Sequence, residues 1–169
     1  MGESLGYAYT DTAIGTLLVI ADSTGICLID WGDDRTALLE SARRKFPGAS
    51  LVEGARDASS LAARVAALVD DARTARADVP LSLHGTPFQQ EVWDALRTIP
   101  SGETRTYAEV AAQLGRPTAY RAVAQACAHN PAPVVVPCHR VVSSDGSLGG
   151  FSGGLWRKEA LLVREGARR

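Results

Sequence analysis

The chain has few cysteines and no long apolar run, and both shortages narrow its class. Its three cysteines, Cys27, Cys127 and Cys138, are odd in number and widely spaced, which argues against a disulfide framework and favours a reducing, cytoplasmic location. No apolar run approaches the roughly 20 residues of a membrane span. The N-terminus also lacks the basic and then apolar pattern of a signal peptide. We therefore expect a cytoplasmic protein that does not contact membranes.

Charge is nearly balanced over the whole chain but unevenly distributed along it. The 169 residues carry a net charge of −1, with 46% hydrophobic and 22% charged residues, which is typical of a globular chain with one domain or two small lobes. Residues 1–80 hold 8 Lys and Arg against 12 Asp and Glu, whereas residues 81–169 hold 10 against 7. The distribution permits a polyanion such as nucleic acid as a partner of the second part, without requiring it.

The first part of the chain predicts a small antiparallel sheet with helices. Turn residues separate three runs rich in β-branched and aromatic residues between positions 7 and 31. Apolar residues at helical spacing then predict helices around Leu38 and Leu61. Residues 70–80 are polar and rich in alanine, as in a linker. We expect an N-terminal α/β lobe with its linker in residues 1–80.

The second part predicts a mostly helical lobe, so that the chain as a whole belongs to the α+β class. Capping boxes at Thr86 and Thr106 open two helices, and two more are predicted over residues 118–129 and 154–165. The second and third helices are short and are joined by a turn that holds glycine and proline, the pattern of a helix-turn-helix. We expect this C-terminal domain to span residues 81–169.

Cys138 is the strongest candidate for chemistry. It follows the apolar run 134–136, which predicts a buried strand, and it precedes His139 and Arg140. The thiolate is the nucleophilic form of cysteine, and positive charge or a basic partner nearby lowers the pKa from about 8.5. We therefore expect an activated thiol at the end of a buried strand. On this segment alone, a buried structural cysteine is the alternative.

The predicted helix 118–129 has an unusually bare surface. Arg121 projects from its first turns, and its small residues are Ala119, Ala122, Ala126 and Ala128. Small side chains permit a close approach either to a neighbouring helix or to a nucleic-acid groove. Because no acidic residue is near Arg121 in sequence, contact with a phosphate or a base is slightly favoured.

These segments together resemble the methylated-DNA–protein-cysteine methyltransferases, suicide repair proteins that take alkyl groups from O6-alkylguanine. The matching segments, in the family's order and spacing, are residues 86–93, 99–104, 107, 121–123, 130–131, 136–142, 150–154 and 158–165. The resemblance covers about residues 84–166, and a weaker likeness at residues 13–17 extends it to the N-terminal sheet. It implies a ribonuclease H-like first lobe, followed by a DNA-binding and alkyl-transfer domain.

The resemblance also implies a single-turnover reaction at Cys138. The sulfur attacks the O6-alkyl carbon of a flipped guanine and becomes S-alkylcysteine irreversibly. Activation passes through His139, a bound water and Glu165. In the family, the counterpart of Asn130 braces the turn before the nucleophile, and that of Tyr107 contacts the nucleotide and gives a proton to the leaving guanine. O4-alkylthymine is an expected second substrate.

Double-stranded DNA that contains O6-alkylguanine is the partner that the resemblance implies. Arg121 matches the arginine that enters the duplex and fills the gap left by the extruded base, while the bare helix lies in the minor groove. The expected DNA-binding residues are Arg121, Tyr107, Ala122, Ala126, Gln125 and Thr106. The expected pocket residues are Phe151, which replaces the family's usual tyrosine, together with Ser152, Val141 and Pro137.

We expect no cofactor and no metal. Some relatives carry zinc in the small lobe, but here Cys27 and His84 are too few for a tetrahedral site. Cys27 is instead expected to fill the core of a strand, and Cys127 to pack between helices. The resemblance predicts a monomer without an obligate protein partner.

Two other classes of protein stay open as alternatives. A lesion sensor binds alkylated DNA without repairing it, but such proteins lack the nucleophilic cysteine that is present here as Cys138. An unrelated cytosolic cysteine hydrolase would use Cys138 with His139. That reading leaves the helix-turn-helix unexplained, and a hydrolase dyad usually draws on distant segments.

Overall fold

The structure is a computed structural model that describes residues 2–71 and 79–167. It divides into two compact units, Met1–Leu83 and His84–Arg169. Most of the expected linker at residues 70–80 lies outside the described residues. Within the described ranges, no helix is long and apolar enough to cross a membrane.

The first unit is a four-stranded sheet with two helices. Its elements, in chain order, are β1 (Ser4–Thr12), β2 (Gly15–Ala21), β3 (Ile26–Gly32), α1 (Arg35–Lys45), β4 (Ser50–Glu53) and α2 (Ala58–Asp70). The strand order is β3-β2-β1-β4. The first three strands are antiparallel, as expected, whereas β4 pairs in parallel with β1. The sequence did not predict β4 because it is only four residues long and largely exposed, without an alternating apolar pattern.

The core of this unit forms where α1 packs on the sheet. Leu18 and Ile20 of β2 lie in one buried cluster with Leu38 and Ala42 of α1. Cys27 belongs to the same cluster, which confirms its packing role. Burial raises the pKa of the Cys27 thiol to about 12, and a thiol with so high a pKa stays protonated and unreactive at neutral pH.

The second unit is mostly helical. Its elements are α3 (Pro87–Leu96), β5 (Arg105–Thr106), α4 (Tyr107–Gln113), α5 (Tyr120–Ala128), a 3₁₀ turn (Cys138–Arg140), β6 (Val141–Val142) and α6 (Leu155–Glu165). The short strands β5 and β6 pair in parallel. Both hydrogen bonds of the capping box between Thr86 and Gln89 are present at the start of α3, as the sequence predicts.

The helix pair α4 and α5 has the connectivity of the expected helix-turn-helix. The Thr106 hydroxyl caps α4 by accepting the Glu109 N–H at 3.0 Å. The chain then turns at Gly115, whose φ of +74° suits glycine, and α5 packs against α4. On α3, the buried Trp93 indole donates to the Ala126 carbonyl at 2.9 Å, and this bond ties α5 into the core of the unit.

The prediction of a buried strand before Cys138 is wrong. Residues 131–137 form turns, with a single bridge between Pro133 and Val136. Val134 has a φ of +79°, which is a rare conformation for a β-branched residue. Three consecutive valines favour a strand by propensity, but here their burial is achieved in a turn that the Asn130 side chain supports.

Candidate active site

Asn130 fixes the backbone that leads to Cys138. Its Nδ2 donates to the Val136 carbonyl at 2.8 Å, and its Oδ1 accepts the Ala132 N–H at 2.9 Å. Asn130 itself is buried, with 7% of its surface exposed. One amide therefore binds two backbone groups of a buried turn, of which the Val136 carbonyl also accepts the Cys138 N–H at 2.8 Å. The sequence-based expectation that Asn130 braces this turn agrees with these contacts.

Side chains from two distant segments of the second unit meet in one cluster: His139 and Arg140, which follow Cys138 in the chain, and Glu165 of α6. The His139 Nε2 lies 2.8 Å from Oε1 of Glu165, at the end of α6. Arg140 donates through Nε and Nη2 to the same carboxylate, at distances down to 2.7 Å, and through Nη1 to the Ile99 carbonyl at 2.6 Å. The structure thus brings His139 and Glu165 together as expected, and it adds Arg140 as the residue that holds the carboxylate.

The electrostatics of this cluster determine which ring nitrogen of His139 can act as a base. Burial by itself would raise the pKa of Glu165, but hydrogen bonds from His139 and Arg140 outweigh it and hold the pKa at about 2. An ionised carboxylate only accepts hydrogen bonds, so Nε2 of His139 carries the proton. Nδ1 is then an acceptor, and it is buried without a protein partner among the described residues.

His139 is neutral near pH 7. Burial lowers its pKa below the usual 6.5, although the hydrogen bond and the charge of Glu165 oppose that shift. A neutral imidazole with a free Nδ1 can accept a proton, whereas an imidazolium cannot. The cluster therefore provides a base that is ready at neutral pH.

The expectation that neighbouring charge lowers the pKa of Cys138 is wrong, because the pKa is raised overall. Only 5% of Cys138 is exposed, and burial raises the pKa of its thiol. A hydrogen bond with Asn130 and the charge of Lys158 lower the pKa but do not cancel the effect of burial. The resting sulfur is therefore a thiol, and its reaction requires a base to remove the proton.

Lys158 is a site residue that the sequence reasoning did not single out. It is fully buried on α6, and its Nζ donates to the Val141 carbonyl at 2.6 Å and to the Gly150 carbonyl at 3.1 Å. Burial lowers the pKa of this ammonium. Lys158 thus joins the strand after Cys138 to the loop at residues 149–152 and places a cation near the sulfur. A lysine on an amphipathic helix gives no signal of this in sequence.

A cavity of ≈ 540 Å³ lies between α5 and the loop at residues 149–152. This volume falls in the range of about 300–1,000 Å³ that is common for small-molecule sites. Its lining residues are Tyr107, Tyr120, Arg121, Ala124, Cys127, Ala128, Ser143, Gly149, Gly150, Phe151 and Ser152. The cavity thus has aromatic, hydroxyl and guanidinium groups on its walls.

Tyr107 brings a hydroxyl group to the wall of the cavity. Burial raises the pKa of Tyr107 to about 12, and Gly150 makes a backbone hydrogen bond to it. A phenol with this pKa stays protonated at neutral pH, so it can donate a proton or a hydrogen bond to a bound molecule.

The other expected pocket residues divide into two groups. Phe151 and Ser152 line the cavity, whereas Pro137 and Val141 are buried and do not. Cys127, which we expected only to pack between helices, is half-buried and lies on the cavity wall. Its position three helical residues after Ala124, on the same face of α5, could have indicated this.

Three of the six expected DNA-binding residues are exposed, and all three lie on α5. Arg121, Ala122 and Gln125 are exposed, but Ala126 is only 1% exposed. The structure does not place Ala126 on the bare surface, because the Trp93 indole packs there and binds its carbonyl. Thr106 is half-buried, and its hydroxyl serves as the cap of α4.

The described residues contain no group of three or more His, Cys, Asp or Glu side chains that could hold a metal ion.

Comparison with known proteins identifies both units. The model of the 6-O-methylguanine DNA methyltransferase DNA-binding domain matches residues 87–167, and that of the ribonuclease-like domain of the same proteins matches residues 5–70. The crystal structure of Mycobacterium tuberculosis OGT in complex with DNA is 36% identical, with a TM-score of 0.78, over 96% of this chain and 92% of that one. These matches confirm the fold class and the resemblance seen in the sequence.

Curated relatives are similar over different lengths. The bifunctional transcriptional activator/DNA repair enzyme Ada of Escherichia coli is 43% identical over 97% of this chain and 47% of its own length. A methylated-DNA–protein-cysteine methyltransferase of Mycobacterium tuberculosis is 57% identical over 54% of this chain and 55% of its own length. The chain spans about half the length of the curated relatives that it matches.

Proposed function

The chain belongs to the methylated-DNA–protein-cysteine methyltransferase family, and from this premise we propose that it is a suicide DNA repair protein. It transfers the alkyl group of O6-alkylguanine, and of O4-alkylthymine, from duplex DNA to the sulfur of its own Cys138. One observation carries this proposal: the nucleophile Cys138 is followed by His139, whose ring is hydrogen-bonded to the ionised carboxylate of Glu165. Nδ1 of the same ring has no protein partner among the described residues.

The reaction is a displacement at the alkyl carbon. Nδ1 of His139 accepts the thiol proton of Cys138, directly or through a water, and Glu165 stabilises the imidazolium that forms. The thiolate forms an S–C bond while the C–O6 bond breaks, and the electron pair of that bond leaves with guanine. Tyr107 supplies a proton to the leaving base. We propose that no cofactor takes part, because a thiolate and one proton balance the step.

Access to the base requires that it leaves the duplex. The O6 atom of a stacked and paired guanine is out of reach of a sulfur that is 5% exposed, so the nucleotide must be extruded into the cavity. Arg121 and Tyr107 lie on the walls of that cavity, and Arg121 is exposed at the start of α5. We propose that Arg121 enters the duplex and fills the gap, while Ala122 and Gln125 lie against the groove.

The pocket residues follow from the same placement. Phe151 packs on the extruded base as an apolar wall, and Ser152 offers a backbone N–H and a hydroxyl to guanine O6. Pro137 and Val141 support the nucleophile from the buried side, since Lys158 binds the Val141 carbonyl. We further propose a cytoplasmic monomer, because the three unpaired cysteines suit a reducing compartment.

The two alternatives receive less support. The nucleophile that lesion sensors lack is present as Cys138. A hydrolase dyad has no need of a helix-turn-helix with an exposed arginine on its second helix. Intact mass after incubation with an oligonucleotide that contains O6-methylguanine separates the three. A gain of one methyl group by the protein supports repair. Unchanged protein mass with retained binding of the oligonucleotide selects the sensor. A protein that neither binds the oligonucleotide nor gains a methyl group would contradict both functions.

A further inference from the structure

Tyr120 is an exposed aromatic residue whose position the reaction above does not use. It is the first residue of α5, and 45% of its surface is exposed. It lines the cavity beside Arg121. Large aromatic side chains usually bury most of their area, and they are enriched where a protein binds a partner. An exposed aromatic ring on the rim of a cavity is therefore well placed to contact a bound ligand.

Tyr120 lies at the end of the cavity that is far from the nucleophile. The α-helix rises about 1.5 Å per residue, so Tyr120 and Cys127 are separated by roughly 10 Å along α5. Nζ of Lys158 lies 6.0 Å from the centroid of the Tyr107 ring and donates to the carbonyl of Val141, three residues after Cys138, which places Tyr107 at the inner end. A negative charge on Cys138 would raise the pKa of Cys127, in agreement with a position of Cys127 at the same end. A guanine that presents O6 to Cys138 therefore leaves its sugar and the adjoining nucleotides at the Tyr120 end.

The guanidinium of Arg121 accompanies the Tyr120 ring. Its Cζ lies 5.9 Å from the ring centroid, at the outer limit of a cation–π contact. The pair presents a flat aromatic face and a cation side by side on the cavity rim. When guanine is extruded, each adjoining base loses one stacking neighbour. Aromatic side chains stack on any base, because every base has a π-face.

We propose that Tyr120 stacks on the base next to the extruded nucleotide, which makes the cavity rim a binding site for an unstacked nucleobase. This role rests on the proposed function, and it differs from that of Arg121. Filling a gap requires an opposite strand, whereas stacking on an adjoining base does not. Tyr120 therefore contributes to the binding of single-stranded and duplex substrates, and Arg121 to that of duplex alone.

The test compares binding with reaction. Affinity for a single-stranded and a duplex oligonucleotide, each with one O6-methylguanine, is measured by fluorescence anisotropy in the inactive Cys138→Ser background. Tyr120→Ala is expected to weaken both by about five- to hundredfold, the range of one base–aromatic stack. Tyr120→Leu loses the stack as well, and Tyr120→Phe retains it. Trp156→Ala is the matched control, since Trp156 is an exposed aromatic that does not line the cavity.

The reaction rate with free O6-benzylguanine distinguishes an effect of Tyr120 on the adjoining base from an effect on the reacting base. With Cys138 in place, Tyr120→Ala is expected to slow the reaction with free O6-benzylguanine less than it weakens the binding of either oligonucleotide, because the free base has no adjoining nucleotide. Three results would overturn the stacking role: unchanged affinity for both oligonucleotides, a loss confined to duplex as in Arg121→Ala, or a reaction with the free base that slows as much as oligonucleotide binding weakens. Failure of the protein with wild-type Tyr120 to gain an alkyl group would instead contradict the proposed function.

Discussion

Nε2 of His139 and Oε1 of Glu165 are 2.8 Å apart, in a pair whose side chains are 1% and 9% exposed. The carboxylate also raises the pKa of the imidazole, against the effect of burial. This contact therefore controls both the tautomer of His139 and the pH at which it loses its function as a base.

Glu165→Gln is expected to slow alkyl transfer by about 10²- to 10⁴-fold, the usual contribution of general acid–base catalysis. The rate falls as pH drops through the pKa of His139, because the imidazolium cannot accept the thiol proton. The acid limb of the pH–rate curve is the range in which the rate falls as the pH drops. Since Glu165 raises the pKa of His139, this limb is expected at lower pH in the variant. Single-turnover rates with free O6-benzylguanine between pH 4.5 and 8 measure both effects.

The matched control for this experiment is Glu109→Gln, which neutralises an exposed carboxylate on α4. It should leave the rate and the acid limb in place. An acid limb that does not move in Glu165→Gln, or that moves to higher pH, would contradict the pairing of His139 with an ionised Glu165.

Lys158→Met is expected to weaken both the site and the fold. The Val141 and Gly150 carbonyls lose their donor, and the loss at the buried Val141 carbonyl costs about 1–3 kcal/mol. Because the ammonium lowers the pKa of both Cys138 and His139, its loss raises both. The rise of the transfer rate with pH should therefore shift to higher pH.

Urea unfolding and the pH–rate curve test the two parts of this prediction for Lys158 separately. A destabilised variant with an unchanged curve would show that Lys158 only holds the loop at residues 149–152. A shift to lower pH would contradict the electrostatic role.

Asn130→Ala is expected to lower the free energy of unfolding by about 1–3 kcal/mol. The Ala132 N–H loses its partner inside a buried turn, whereas the Val136 carbonyl keeps the Cys138 N–H. Urea titration measures this loss. Gln125→Ala on the exposed face of α5 serves as the control and should change stability by less than about 0.5 kcal/mol. Equal stabilities of the two variants would show that the turn holds without the amide.

Arg121→Ala is expected to slow the repair of duplex DNA more than the reaction with free O6-benzylguanine. The free base needs no extrusion, so it does not need a side chain to fill a gap. Single-turnover rates on the two substrates give the comparison. Equal losses on both would argue that Arg121 shapes the pocket instead.

The sequence predicted the elements whose signals are local. The capping pair of Thr86 and Gln89 and the apolar spacing of α1 and α2 lie within a few residues of the structure they specify. The imidazole and carboxylate, 26 residues apart, were paired only through the family resemblance. Nothing in the spacing of His139 and Glu165 required them to meet.

The rest depended on three-dimensional context. The turn at Val134 exists because Asn130 satisfies it, which valine propensity opposes. The neighbouring Arg140 was visible in sequence, but the net rise of the Cys138 pKa was not, because burial outweighs the lowering by Asn130 and Lys158. The buried position of Lys158 is stabilised by two backbone carbonyls from separate segments, so no pattern on α6 itself could have indicated it.

Transfer of the alkyl group to Cys138 can be tested by finding which residue of the protein carries that group after the reaction. The protein is incubated with a duplex that carries one O6-methylguanine, digested, and analysed by peptide mass mapping beside Cys138→Ser. We expect one methyl group per protein, on the sulfur of Cys138 alone, and none in a Cys138→Ser variant that still binds the duplex. A methyl group on Cys127 or Cys27, or methyl transfer that persists in Cys138→Ser, would contradict it.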